Sequence, residues 1–407
     1  MNARHCAAIC NLMLLAAIIN MAGCAHRPIY HPVALSAKNL SFDFTVAPAP
    51  EWSSLFIRKE GWFGGDGIFS VSKNGSEKEN AADNNEMIIW FSDTMLGSIV
   101  NDSLQPGYTM INNSMAVLKN GEPNKSNLSF YWDTTQNGKP QSIFIPQTPA
   151  TKPGDYYWLG DGFVNHQKNN DLYIFGYRIA NIPGKAVFGF KETGNTLVIA
   201  ANNGKYPLHI KKQLDIPFFK NRDVDSTGSF GAGVLVNTRQ AGAVNPDDYV
   251  YVYGVRGKSK QVMVARVRTG DIESFEQWRF WDGKEWNKDV NNIQPVADRA
   301  SNELSVTALP DGRYLMVFQG DGLGRYVGIR LANTPYGPFS DPITIYDTSE
   351  DLKGSTQLFS YNAKAHPALS KKGKLLISYN INAFDFDKEI KKFPHLYRPR
   401  FIELRYK

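Results

Sequence analysis

Gly65-Asp66-Gly67-Ile68-Phe69-Ser70-Val71 opens an apolar strand beside a polar residue, and residues 87–91, Met-Ile-Ile-Trp-Phe, answer it and end in an aromatic. The same two-part phrase returns at Gly160-Asp161-Gly162-Phe163-Val164 with 172–175, and at Phe230-Gly231-Ala232-Gly233-Val234-Leu235-Val236 with 249–253. It recurs at Asn302-Glu303-Leu304-Ser305-Val306 with 314–318, and at Ala365-His366-Pro367-Ala368-Leu369-Ser370 with 375–379. Repetition of this kind marks radial architectures, in which each unit is one sheet packed against the next. The predicted fold is therefore all-β, a five-bladed β-propeller of four-stranded blades. Radial sheets aim the starts of their innermost strands at a central funnel, and here those starts offer Asp66, Asp161, Glu303 and His366.

Working outward, helical periodicity is not sustained anywhere, and Asn74-Gly75, Asn120-Gly121, Asn137-Gly138, Asp282-Gly283 and Asp311-Gly312 punctuate short strands as turn pairs do. Blade one reads as 67–71, 87–91, 114–118 and 128–132; blade two as 163–165, 172–175, 186–190 and 196–200. Blade three continues through 262–267 to 277–281, and blade four through 326–331 to 343–346. The last blade is short, with 368–370, 375–379 and 401–404 before the chain ends. Residues 40–46, Leu-Ser-Phe-Asp-Phe-Thr-Val, alternate as a half-buried strand should. Placed beside 401–404 they complete the fifth sheet and cover an exposed edge. No residues remain for a sixth blade.

The first residues read as a targeting segment. Arg4 and the amino terminus precede a mostly apolar stretch from Ala7 to Ala22, shorter than the roughly 20 residues of a membrane-spanning helix. Met21-Ala22-Gly23-Cys24 closes it in the manner of a bacterial lipobox, with Cys24 as the lipidated residue. Residues 1–23 are expected to be a lipoprotein signal peptide, 24–38 a tether and 39–407 the single propeller domain. This makes the protein a lipid-anchored monomer of the bacterial cell envelope. The remaining cysteines, Cys6 and Cys10, fall in the signal, which leaves neither disulfides nor thiol catalysis to the mature chain. A net charge of +6, spread without runs, carries no nucleic-acid footprint.

Glycines on both sides of Asp66 and of Asp161 let the backbone bend and leave each carboxylate uncovered. A lone Asp-Gly makes a turn, as Asp321 in Gly320-Asp321-Gly322 is expected to do, but the repeated position and an upstream tryptophan point Asp66 and Asp161 to the funnel. Asp93 ends the second strand of blade one, beside the strand that Asp66 opens, unless it only caps that end with Thr94. Two close carboxylates repel and one pKa rises, giving a protonated acid beside an ionised base. Glycoside hydrolysis requires that division. Glu303 opens a core-like strand and needs a task or a partner such as Arg299 or Arg325. Arg178, Arg256, Gln319 and Asn380 end second strands as donors for hydroxyls, His366 could orient a carboxylate or a sugar, and Trp62 and Trp158 could be stacking platforms. Zinc-ligand spacing, Gly-x-Ser-x-Gly and the phosphate-binding Gly-x-x-x-x-Gly-Lys are all missing. Neither a metal nor a cofactor is expected.

At Gly64-Gly65-Asp66-Gly67-Ile68 and Phe91-Ser92-Asp93-Thr94 the chain resembles bacterial propellers associated with endo-D-arabinanases. In these a Gly-Asp-Gly opening is paired with an aromatic-Gly-Asp-Thr strand end; Ser92 stands where glycine is usual. Leu331-Ala332-Asn333-Thr334-Pro335-Tyr336-Gly337-Pro338-Phe339 resembles a blade motif of five-bladed glycosidases acting on furanosides. The resemblance implies a glycosidase of furanose polysaccharides with Asp66 and Asp93 as the central pair. Its usual third carboxylate, a glutamate in blade three, has no counterpart there; the clearest glutamate, Glu303, opens blade four. Asp161 and Glu303 stand as alternatives for catalysis, and a non-catalytic glycan-binding propeller is the competing expectation.

Overall fold

The computed structural model describes residues 42–184, 189–220 and 228–407. The expected signal peptide, Cys24, the tether and the first residues of the 40–46 strand lie outside the described residues.

The described residues are all-β apart from two short helices, Pro50–Leu55 and Phe386–Lys392, and a few short 3-10 segments. Antiparallel meanders follow one another in chain order. The first sheet holds Phe69–Ser72, Glu86–Phe91, Ser114–Lys119 and Leu128–Tyr131; the second holds Tyr156–Asn165, Asp171–Asn181, Phe190–Ala200 and Ile210–Asp215. Gly228–Asn237, Tyr249–Arg256, Gln261–Arg268 and Arg279–Trp281 begin the third, to which Trp286–Asn287 is added. The fourth is Leu304–Ala308, Tyr314–Gln319, Tyr326–Ala332 and Ile343–Asp347. In the fifth, Leu358–Ala365, Lys374–Ala383 and Pro399–Tyr406 are joined by Phe44–Pro48 from the other end of the chain, in a register pairing Val46 with Leu404. The expected pairing of 40–46 with 401–404 is found from Phe44 onward and in a shifted register, Phe44–Pro48 facing residues 402–406.

Strand Tyr156–Asn165 packs between Phe69–Ser72 and Gly228–Asn237; Gly228–Asn237 in turn meets Leu304–Ala308, which meets Leu358–Ala365. Where the fifth sheet reaches the first, Lys364 lies over the Phe69 ring at 4.3 Å and Ser70 bonds His366 at 2.8 Å. The core is divided accordingly, one apolar cluster for each pair of facing sheets: Ile88, Trp90, Tyr157 and Ile174 between first and second, for example, and Val317, Ile329, Ile377 and Ile402 between fourth and fifth. Each such fully buried side chain contributes roughly 1.5–3 kcal/mol over its exposed state. Gly160 shows how tightly the inner strands approach, since a Cβ there would meet the Gly231 carbonyl oxygen at 2.5 Å.

Besides the strand added to the third sheet, the second and fifth sheets differ from expectation. In the second, residues 196–200 are the second half of the long strand Phe190–Ala200, and the outer strand is Ile210–Asp215, whose Lys211 and Lys212 disguise it. In the fifth, the inner strand is Leu358–Ala365, while 367–369 form a 3-10 turn. The bulges make the correspondence plain. They fall between Leu159 and Gly162, between Phe230 and Gly233, and between Tyr361 and Lys364. The fifth counterpart of Asp161 is therefore in Tyr361-Asn362-Ala363-Lys364, and His366 lies beyond the strand.

Candidate active site

Asp66 sits where Glu60–Gly65, paired with Thr94–Val100, gives way to Phe69–Ser72, paired with Glu86–Phe91. The hairpin carries Asp93 at the matching point of its return. Asp66 N–H donates to the Asp93 carbonyl at 3.2 Å and Ser92 N–H to the Asp66 carbonyl at 2.8 Å. The two aspartates are direct neighbours across a backbone hydrogen bond. Gly67 makes the bend: it has φ +60°, and a Cβ on it would meet Ser92 Oγ at 2.6 Å. Ser92, the departure from the resembled pattern, fills that space and ties the hairpin to the second sheet. Its Oγ accepts from Leu159 N–H at 2.9 Å and donates to the Leu159 carbonyl at 3.3 Å.

The two carboxyls have opposite surroundings. Tyr361 donates its phenol to Asp66 Oδ2 at 2.7 Å, and Tyr397 adds a second phenol. Burial pushes the Asp66 carboxyl up, while both phenols favour its ionised form. Asp93 Oδ1 accepts from Trp158 Nε1 at 2.9 Å and from Asn112 Nδ2 at 3.2 Å. Burial, followed by the charge of Asp66, pushes Asp93 up to about 7 against those two donors. Two such neighbours do not both ionise readily, so the phenols hold the charge on Asp66 and the proton falls to Asp93. Thr94 does not cap Asp93: its hydroxyl donates to the Ser92 carbonyl at 2.9 Å and is 2.7 Å from Ser114 Oγ.

Asp161 and Glu303 face the same interior but are occupied. Asp161 Oδ1 accepts its neighbour Gly162 N–H at 2.8 Å, and Oδ2 accepts Val234 N–H at 2.7 Å, a bridge from the second sheet to the third. Burial pushes it up to about 7 despite these bonds. Glu303 Oε1 accepts from Asn362 at 2.8 Å and its Oε2 is ion-paired with Lys364, so the partner is neither Arg299 nor Arg325. Those arginines pair with Asp321 and Asp347 at the surface. Burial outweighs the lysine and pushes Glu303 up to about 7. Lys364, a buried cation felt electrostatically by Asp66, Asp161 and Glu303, is, with the two phenols on Asp66, a residue the sequence reading missed.

Most expected sugar donors serve the fold instead. Trp62 is buried and stacked 4.5 Å from Phe130, with no face left for a ring. Arg178 bonds Asp215 at 2.6 Å and lies 3.6 Å from Asp155, an internal ion cluster of the second sheet. Gln319 is buried and bonds Ser360 and Ser301; Arg256 bonds Gln261 within its own sheet. His366 is clamped between Ser70 and Ser378 at 2.8 and 2.7 Å, and burial with the Lys364 charge lowers it to about 3, so it stays neutral. Asn380 is buried and donates to the Gly65 carbonyl at 3.2 Å, supporting the backbone before Asp66. Trp158 keeps a place at the site, half-buried, its indole on Asp93 and its ring 4.5 Å from Phe190. Beside it opens a cleft of about 250 Å³ lined by Asn112, Gln141 and Tyr156 among others. Among the described residues no group of three or more His, Cys, Asp or Glu side chains is arranged to hold a metal ion.

A family model described as a domain of unknown function (DUF5005) matches residues 50–406. The chain belongs to that family. Nothing among the curated proteins matches it. A Bacteroides ovatus protein provisionally described as a hydrolase is 22% identical, with a TM-score of 0.69 over 88% of this chain and 90% of its own, and shares the fold. An α-L-arabinofuranosidase from Podospora anserina solved with cellotriose is 10% identical, with a TM-score of 0.46 over 90% of this chain and 97% of that one. An endo-arabinase from Bacteroides thetaiotaomicron is 12% identical, with a TM-score of 0.42 over 90% and 97%.

Proposed function

We propose that this DUF5005 protein is a glycoside hydrolase cleaving a furanose-containing polysaccharide, most specifically an endo-D-arabinanase. The five meanders are then the blades of a closed five-bladed propeller. One observation carries the reading: adjacent carboxyls on one hairpin, Asp66 under phenol donors that favour its anion, and Asp93 raised to about 7 by burial and by Asp66. Asp93 delivers its proton to the glycosidic oxygen as the bond to the anomeric carbon breaks, and Asp66 supplies the electron pair that replaces it. The two residues are neighbours across backbone hydrogen bonds of one hairpin, and retaining glycosidases set their carboxyl groups closer together than inverting ones, which leave room for a water between them. That adjacency favours Asp66 as nucleophile. A water deprotonated by Asp93 then releases the sugar with retained configuration.

The non-catalytic reading would be favoured by arginines neutralising the pair, yet Arg178 and Arg256 bond elsewhere. Incubating the protein with arabinans, galactans and fructans and analysing the products tests the proposal. Oligosaccharides released from D-arabinan support it; intact polymers throughout overturn it. The same reading places the protein in the bacterial envelope as a monomer on a Cys24 lipid after removal of 1–23. Radioactive palmitate label retained in Cys24→Ala would refute that anchor.

A further inference from the structure

A second depression, of about 850 Å³, contains none of the four carboxylates above. It is lined by Ser355, Thr356 and Gln357, which precede the inner strand of the fifth sheet, and by Lys388, Glu389 and Lys392 of helix Phe386–Lys392. Glu389 is 3% exposed, and its buried Oε2 has no hydrogen-bond partner. Buried polar atoms are nearly always paired, because leaving one unmade costs the full desolvation of the group. Glu389 itself lines the depression, whose other side chains include hydroxyl, amide and ammonium groups. Lys392 is already committed to the Gly354 carbonyl at 2.8 Å. Nearby, Phe384 is 46% exposed, packs 4.7 Å from Phe359, and donates its N–H to the carbonyl of Gln357. An unpaired acid, several hydroxyl-matching groups and an exposed aromatic make the chemistry of a sugar site. One carboxylate between two lysines does not make a cation site.

The connection that carries Glu389 runs on to Tyr397, the phenol on Asp66, and Phe386 at its start packs against Tyr397 at 5.1 Å. We infer that this depression is a distal glycan-binding site, which holds a stretch of the polysaccharide remote from the bond being cleaved and accepts a sugar hydroxyl on Glu389. The inference rests on the proposed glycosidase reading.

The test compares the full chain with Glu389→Gln and Ser355→Trp, the second projecting a bulky ring into the cavity from its lining. Retention on affinity gels containing arabinan, galactan or fructan is measured beside hydrolysis of the polymer and of a short oligosaccharide. Both variants should lose at least about fivefold in retention and in polymer kcat/KM, with short-substrate turnover unchanged. If Glu389→Gln does not fold, Ser355→Trp decides alone. Equal retention of wild type and folded variants, or no retention of wild type on any gel, overturns the site. Retention that depends on Glu389 without hydrolysis of any polymer overturns the glycosidase reading and leaves the site standing.

Discussion

Replacing Tyr361 by Phe removes one oxygen from the site and keeps the ring in its place beside Phe359, 5.7 Å away. The lost contact is the 2.7 Å phenol donor to Asp66 Oδ2. A hydrogen bond to a charged group is worth about 1.5–3 kcal/mol, and about 1.4 kcal/mol of preference for one protonation state moves a pKa by one unit. The bond favours the anion, so its loss raises the pKa of Asp66, by about one to two units on these figures. Catalysis needs Asp66 ionised, and the acid limb of the kcat/KM profile should therefore move up by about that amount. The shift belongs to the Asp66–Asp93 pair as a whole, because the two titrations are coupled. Steady-state kinetics across pH 4 to 9 measures it, with circular dichroism confirming the fold. An acid limb that stays put, or moves down, in a folded Tyr361→Phe protein refutes the charge assignment.

Ser92→Gly restores the residue usual in the resembled pattern but strands Leu159 N–H, which donates to Ser92 Oγ at 2.9 Å; a cost of about 1–3 kcal/mol should appear as a lower melting temperature, and no loss would refute the tie. Melting temperature should also fall between pH 6.5 and 8. Burial raises Asp93, Asp161 and Glu303 to about 7 and Glu77 and Glu192 to about 8, so the folded state holds protons that the unfolded chain has already released, and stability drops as pH climbs toward those values and levels off above them. Above pH 6.5 the neutral His366 matches its unfolded state and does not offset the trend; a flat or rising melting curve would contradict the buried pattern. Deleting the chain through Pro48 removes the strand paired with Pro399–Tyr406 and should lower the melting temperature sharply, with unchanged melting as the contrary result.

The meander was legible because its second strands are apolar runs ending in aromatics, and the Asp66–Asp93 pairing because a hairpin forces opening and return together. The inner strand Leu358–Ala365 was hidden by its own content. Ser360, Asn362 and Lys364 are buried polar residues that serve other sheets, so the apolar–polar alternation of a half-exposed strand never forms. Lys364 found its partner Glu303 only through the fold, since 303 and 364 belong to different sheets. Arg178 was readable as a donor, but Asp155 and Asp215, which claim it, sit in a loop and on an outer strand that carried no clear signal. The phenols on Asp66 come from the far end of the chain, and nothing local to Asp66 announces them.

Turnover of D-arabinan by Asp66→Asn and by Asp93→Asn, each compared with wild type, tests the central claim most directly. Each variant should lose at least about a hundredfold in kcat, the scale of an acid–base group, while melting at least as high as wild type, because a desolvated acid has been replaced by a neutral amide. A folded Asp66→Asn or Asp93→Asn protein that keeps a tenth or more of wild-type turnover would contradict the account.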